Sequence, residues 1–189
     1  MIYKKFGKTG LEVSALGFGC MRFPVIGKNN RAIDEEHATQ MVHKAIDQGV
    51  NYFDTAYPYH AENFSKPGES EPFLGKALKN GLREKVYLAT KLPCWLVESR
   101  EDMDRILDEQ LERLETDYID FYLLHALNRV TWPKMLDMGV LDFLEKALKS
   151  GKIRYAGFSY HDELDLFKKI TDAYPWSFTQ ILYNYLSIF

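Results

Sequence analysis

The sequence predicts an α/β fold built around a parallel sheet. Three observations carry that expectation. Short β-rich runs alternate with helical patterns, one run is almost unbroken in its apolar character, and polar residues recur at the C-terminal ends of the runs. Strict β–α alternation implies parallel strands, in a sheet either doubly wound or closed as a barrel. A continuous apolar strand is what a sheet covered on both faces requires.

The elements follow in order. Tyr3 to Leu16 reads as a β-hairpin with Gly7-Lys8-Thr9-Gly10 as its turn. Val13 to Met21 is apolar and closes with Gly17-Phe18-Gly19. Asp34 caps a helix in which Ala38, Met41, Val42, Ala45 and Ile46 fall at i, i+3, i+4, i+7 and i+8, and Gly49 stops it. Val50 to Ala56 is a strand. Ser70-Glu71-Pro72 then opens a helix with a cap and a first-turn proline; Phe73, Leu74, Ala77 and Leu78 give it an apolar face, and Gly81 ends it. Val86 to Leu92 is the next strand, and Met103, Ile106, Leu107, Leu111 and Leu114 stripe the helix after it. Tyr118 to His125 is the nearly unbroken apolar strand. Val140 to Leu148 is helical, Ile153 to Ser159 is a strand, Leu164, Phe167 and Ile170 mark a helix, and Phe178 to Tyr185 is a sixth strand. The long polar loop from Pro58 to Gly68 and an irregular stretch from Ala126 to Asp137 stand outside the pattern. Long loops in compact domains are often functional.

Length and composition set further bounds. The 189 residues, near half of them apolar, suffice for one sizeable core, so a single domain over residues 1–189 is expected. A net charge of -3 gives no reason to expect nucleic acid or an anionic membrane surface as a partner. No apolar run approaches the roughly 18–20 residues of a membrane span. The N-terminus continues into Gly7 and Gly10 without an apolar signal core, which argues against secretion. Cys20 and Cys94 lie far apart and form no CxxC pair; they read as small core hydrophobes, and a reducing cytoplasm fits.

The chemistry collects at strand ends. Asp54 ends the second strand, Lys91 the third, His125 the fourth and Ser159 the fifth, with Gln180 in the sixth. In a (β/α) barrel these ends converge on one face, where active sites lie. A doubly wound dinucleotide fold would want G-x-G-x-x-G after its first strand, and Gly17-Phe18-Gly19-Cys20-Met21-Arg22 lacks the third glycine. A metal-dependent hydrolase could use Asp54, His125 and His161, but such a barrel usually wants paired histidines on its first strand, so no metal site is expected. His161 reads as part of the next helix start. Lys146, Lys149, Lys152 and Arg154 read as a solvated face.

Five stretches in order and register carry a family likeness: Gly17-Phe18-Gly19-Cys20-Met21, Asp54-Thr55-Ala56-Tyr57-Pro58-Tyr59, Ala89-Thr90-Lys91, Leu123-Leu124-His125 and Gly157-Phe158-Ser159. On these the chain resembles the aldo-keto reductases throughout its length. The wording of Tyr57-Pro58-Tyr59-His60 and His125-Ala126-Leu127-Asn128 is most similar to a branch whose members often carry a C-terminal iron–sulfur domain. The resemblance implies a TIM-type (β/α) barrel with an N-terminal β-hairpin, here with about six of the eight βα units of a full barrel. The chain reads as truncated after the sixth strand, which predicts weak or absent turnover and self-association through open barrel edges.

The implied activity is reduction of aldehydes or ketones by hydride transfer from NADP(H) or NAD(H). Tyr59 matches the general acid and Lys91 the neighbour that lowers its pKa. Asp54 matches the carboxylate paired with that lysine, and His125 the residue that orients the carbonyl. Cys20, Met21, Asp54, Ser159 and Gln180 match positions that hold the cofactor. The family often has Asn after that serine, where this chain has Tyr160. The physics agrees: a phenol near pKa 10 is brought toward catalytic range by an adjacent ammonium, and Asp54 opposes the effect of burial on Lys91. The rival reading is a catalytically impaired barrel relative that serves as a nucleotide-binding or interaction subunit.

Overall fold

A computed structural model describes residues 1–184. The chain opens on the expected hairpin. Strand β1 (Tyr3–Lys5) pairs antiparallel with β2 (Glu12–Ser14), and Gly7 and Gly10 hold positive φ in the turn. The main sheet has six strands in sequential order: β3 (Phe18–Gly19), β4 (Tyr52–Asp54), β5 (Tyr87–Leu92), β6 (Ile119–Leu127), β7 (Ile153–Tyr160) and β8 (Phe178–Ile181). Every neighbouring pair is parallel. Helices α1 (Glu35–Asp47), α2 (Ser70–Ala77), α3 (Arg100–Arg113), α4 (Thr131–Asp137), α5 (Val140–Lys149) and α6 (Leu164–Ala173) connect the strands from β3 to β8. The strands curl into an incomplete α/β barrel of the TIM type, as the sequence led one to expect.

Register decides which side chains enter the barrel. Asp54 pairs with Gly19 and Ala89, Lys91 with Leu123, Leu123 with Gly157, and Ser159 with Gln180. Because side chains alternate across a strand, these residues share the concave face. Below them the barrel is filled by Phe121, Ala89 and Leu123 with Tyr52, Tyr87, Tyr155 and Phe178. Phe6 from the hairpin seats its ring 4.8 Å from Phe121, edge to face, and closes that end. Gly157 leaves the room that the Phe178 ring occupies. The larger core lies outside the sheet, where Leu88, Tyr122, Leu124 and Phe158 meet Val42, Leu74, Met103, Leu107, Phe143 and Ile170 from the helices.

Four details depart from the sequence reading. Ser70 does not cap α2. It is fully buried, and its hydroxyl instead donates to the Cys20 carbonyl and meets Thr55 Oγ1 at 2.9 Å, tying α2 to the ends of β3 and β4. Part of the stretch expected to be irregular is regular: β6 runs on to Leu127, and α4 begins at Thr131, held by reciprocal bonds between Asn128 and Thr131. Arg154 does not simply solvate; it forms an ion pair with buried Asp120 at 3.0 Å. The sixth strand is shorter than read, ending at Ile181, and its expected last residue, Tyr185, lies outside the described residues.

Candidate active site

Lys91 is the centre of the site. It sits near the C-terminal end of β5 and is 1% exposed, yet its ammonium has three oxygen partners. Asp54 Oδ1 lies 2.6 Å away as an ion pair, Thr55 O accepts at 2.7 Å, and Tyr59 Oη accepts at 3.2 Å. Burial alone would push the lysine pKa down. Asp54 and then Tyr59 outweigh it, and the pKa lies above the ordinary value. The ammonium is therefore a fixed charge.

Tyr59 follows β4 by a short turn in which its N–H donates to the Ala56 carbonyl. Burial raises its pKa and Lys91 lowers it, and burial wins, so the phenol lies above its ordinary value. The sequence-based expectation of a net lowering is corrected on this point. Lys91 acts in the anticipated direction, but the protein around the ring withholds water from the phenolate more strongly.

His125 lies within a register shift between Leu124 and Leu127, where Ala126 holds φ 52°. A bulge of this kind re-aims a side chain at a strand end. It turns the imidazole toward Tyr59, with ring centroids 6.3 Å apart and edge to face. Trp95, from the short 3₁₀ turn after β5, lies 5.1 Å from the same imidazole. Burial above all, then the nearby charge of Lys91, drives the His125 pKa down to about 3. The ring is neutral at physiological pH, and its buried Nδ1 has no protein partner among the described residues.

These groups open on a cleft of about 400 Å³ lined by Met21, Tyr59, Phe64, Trp95, His125 and His161. His161, expected to open a helix, instead stands exposed at this rim while α6 starts later, at Leu164. The remaining sequence-selected residues divide. Met21 is exposed at the cleft, whereas the Cys20 side chain is fully buried in the core beside it. Ser159 Oγ accepts from Ala126 N at 2.8 Å, which steadies the bulge behind His125. Gln180 lies across from Ser159 and its Oε1 accepts from Tyr52 Oη at 3.2 Å. Among the described residues no group of three or more His, Cys, Asp or Glu side chains is placed to hold a metal ion.

Sequence reasoning passed over several contributors. Glu71, fully buried on α2, accepts from Thr90 Oγ1 at 2.6 Å, Gln110 Nε2 at 2.7 Å and Arg113 Nε at 2.9 Å. Gln110 also donates to the Lys91 carbonyl, so this network holds the backbone of the central residue. Its members come from α2, β5 and α3, and nothing in their spacing announces that they meet. Gly19 is the second omission. It faces Asp54, and among the described residues no atom beyond its chain neighbours lies within 4 Å of where a Cβ would stand. Its signal was present in Gly17-Phe18-Gly19, where a glycine without a turn to make suggests close approach by another group.

Comparison with known proteins agrees with this arrangement. Residues 15–188 match the aldo/keto reductase family. A probable aldo-keto reductase 1 from Glycine max is 35% identical over 163 residues, spanning 82% of this chain and 44% of that protein. A 6-dehydroglucose reductase from Novosphingobium aromaticivorans is 31% identical over 163 residues, with 83% and 51% covered. Among solved structures, the holo form of aldo-keto reductase AKR11C1 from Bacillus halodurans superposes with a TM-score of 0.75 at 30% identity, covering 97% of this chain and 58% of that one. The chain thus spans about half the length of the curated relatives it matches. Since the matched region takes in every strand that carries a site residue, the chain belongs to the aldo/keto reductase family.

Proposed function

We propose that this chain carries the acid-catalytic half of an enzyme that reduces aldehydes or ketones with a nicotinamide dinucleotide, NADP(H) or NAD(H). One observation carries the reading: a buried ammonium bridges a carboxylate and a phenol at 2.6 and 3.2 Å beneath an open cleft. The cofactor, when bound, supplies the hydride. Tyr59 acts as the general acid, giving its proton to the carbonyl oxygen as charge develops there. Its raised pKa keeps it protonated in the resting site, and the Lys91 charge stabilises the phenolate left behind. Asp54 holds Lys91 charged. His125, neutral and with Nδ1 unpaired among the described residues, has the spare capacity to orient a carbonyl.

The residues fit such a cofactor. The open space over Gly19 beside Asp54 offers room for a flat ring. Ser159 and Gln180, side by side at the same end of the sheet, offer polar groups for a carboxamide. Met21 borders the cleft, and Cys20, buried behind it, can contribute only through the shape of the floor. The wording Tyr57-Pro58-Tyr59-His60 supports the iron–sulfur-associated branch of the family.

Two measurements test the proposal, binding on this chain and turnover on a full-length relative that carries the same residues. Titration with NADPH should quench tryptophan fluorescence, because Trp95 lines the cleft. NADPH oxidation with 4-nitrobenzaldehyde should fall by about 10²–10⁴-fold in Tyr59→Phe while the quenching persists. Turnover within a few-fold of the parent would remove Tyr59 from the acid role.

A further inference from the structure

The loop that carries Tyr59 also carries a histidine, His60, to which the chemistry described so far gives no part. His60 is 3% exposed and adopts φ 61°, a left-handed conformation that a non-glycine residue holds only when its surroundings dictate it. Both ring nitrogens are bound to backbone on the loop between β3 and α1. Phe23 N–H donates to Nε2 at 3.0 Å, and Nδ1 meets the Asn30 carbonyl at 2.7 Å. These partners fix the proton. A backbone N–H can only donate and a carbonyl can only accept, so Nε2 must be bare and Nδ1 protonated. An imidazolium or the opposite tautomer would break the Phe23 bond.

The same contact is reinforced from both sides. Asn30 Nδ2 donates to the Ala61 carbonyl at 3.1 Å, and the Phe23 ring stacks on His60 at 5.8 Å. On the other flank Ser70 N–H donates to the Tyr59 carbonyl at 3.2 Å, and a Cβ on Gly68 would collide with that carbonyl. The backbone of Tyr59 and His60 is thus gripped between the Gly68–Ser70 segment and the 22–33 loop.

We propose that His60 is a positioning residue for Tyr59: in its neutral Nδ1–H form it pins the Tyr59 loop to the 22–33 loop and thereby sets where the phenol meets Lys91. The inference rests on the reading of Tyr59 as the acid only for its catalytic meaning; the pin itself is a property of the resting chain. Glutamine can imitate it, having one amide donor for Asn30 and one acceptor for Phe23. Alanine cannot.

The test uses the whole chain with ¹⁵N-histidine and ¹³Cζ-tyrosine labels. Long-range ¹H–¹⁵N spectra at pH 7 should show His60 neutral with the proton on Nδ1; an Nε2–H tautomer or an imidazolium overturns the pin. Titration of the Tyr59 ¹³Cζ signal should be the same in His60→Gln as in the parent. In His60→Ala it should shift down toward the ordinary phenol value, because a released loop lets water reach the ring. An unchanged Tyr59 titration in a folded His60→Ala, or a His60→Gln that behaves like alanine, refutes the proposal. Should His60→Ala fail to fold, the tautomer and the glutamine variant still decide it. If Tyr59→Phe leaves turnover intact while these spectra behave as expected, the acid reading fails and the pin stands.

Discussion

Replacing Asp54 by asparagine tests the electrostatics at the centre of the site, because it removes one charge and almost no volume. Lys91 is 2% exposed at its side chain and Asp54 13%, so the pair is shielded from water. Removing one partner of a buried pair leaves the other charge uncompensated, typically at about 3–5 kcal/mol. The partial exposure of Asp54 and the surviving bonds to Thr55 O and Tyr59 Oη put the expectation near 3 kcal/mol. At a urea slope of about 2 kcal/mol per molar, that is a midpoint shift of roughly 1.5 M.

The pH dependence should also change sign. In the parent the Lys91 pKa lies above its unfolded value. Its stabilisation is therefore complete below the unfolded pKa of about 10.4 and fades as pH rises through the folded value. Without Asp54, burial dominates and the folded pKa drops below the unfolded one. The unfolded state then binds more protons across the interval, so stability rises with pH toward about 10.4. Urea melts between pH 7 and 10 would measure both effects, with the Lys91 contribution flat in the parent and stability rising with pH in Asp54→Asn. A variant within about 0.5 kcal/mol of the parent, with the parent's pH slope, would show that the pair carries no such energy.

His125 should behave as a buried neutral base. With a folded pKa of about 3 against an ordinary 6.5, its contribution is complete above pH 6.5 and is lost as pH falls toward 3. Between pH 6.5 and 4.5 this amounts to about 2–3 kcal/mol, which His125→Gln should abolish; a His125 imidazole proton signal titrating near 6.5 would contradict it. Gly19→Val should leave the urea midpoint nearly unchanged, since the space is free, but weaken NADPH quenching at least tenfold; unimpaired binding would place the ring elsewhere.

What could be read from the sequence follows from how far each signal reaches along the chain. Strands and helices were legible because period and capping are local, as at Asp34, whose side chain does accept from His37 N–H. The four residues that gather at the candidate site were legible for a different reason: Lys91 and His125 are polar endings on apolar strands, where a bland role leaves little to explain them. Ser70 misled because its cap signature is local while its hydroxyl partners are Cys20 and Thr55, fifty and fifteen residues away. Glu71, Gln110 and Arg113 were invisible for the same reason. So was the sign of the Tyr59 shift, because the depth of burial comes from the closed loop and not from its neighbours in sequence.

Strands β5 and β6 are associated with two buried ionic clusters, and the difference between them separates structure from function. Asp120 on β6 has both carboxylate oxygens bonded: Arg83 Nη2 at 2.9 Å and Leu88 N–H at 3.0 Å on one, Arg154 Nη1 at 3.0 Å on the other. The two guanidinium groups also approach the Tyr118 ring, at 4.4 and 3.7 Å from its centroid. In such a cluster neither carboxylate oxygen is left without a partner. At the opposite end, Asp54 and Lys91 balance in charge, but the Oδ1 contact is out of line for a hydrogen bond and His125 Nδ1 has no partner among the described residues. Buried polar groups are nearly always satisfied, so those left open in a native fold call for an explanation. Here His125 borders the cleft that Tyr59 faces and Asp54 lies against Lys91 beside it, while a third open group among the described residues, Arg113 Nη2, belongs to the Glu71 network. Of the three open groups only His125 Nδ1 belongs to a residue that lines the cleft, so it is the one that a bound carbonyl oxygen could satisfy, as acceptor from a ring N–H.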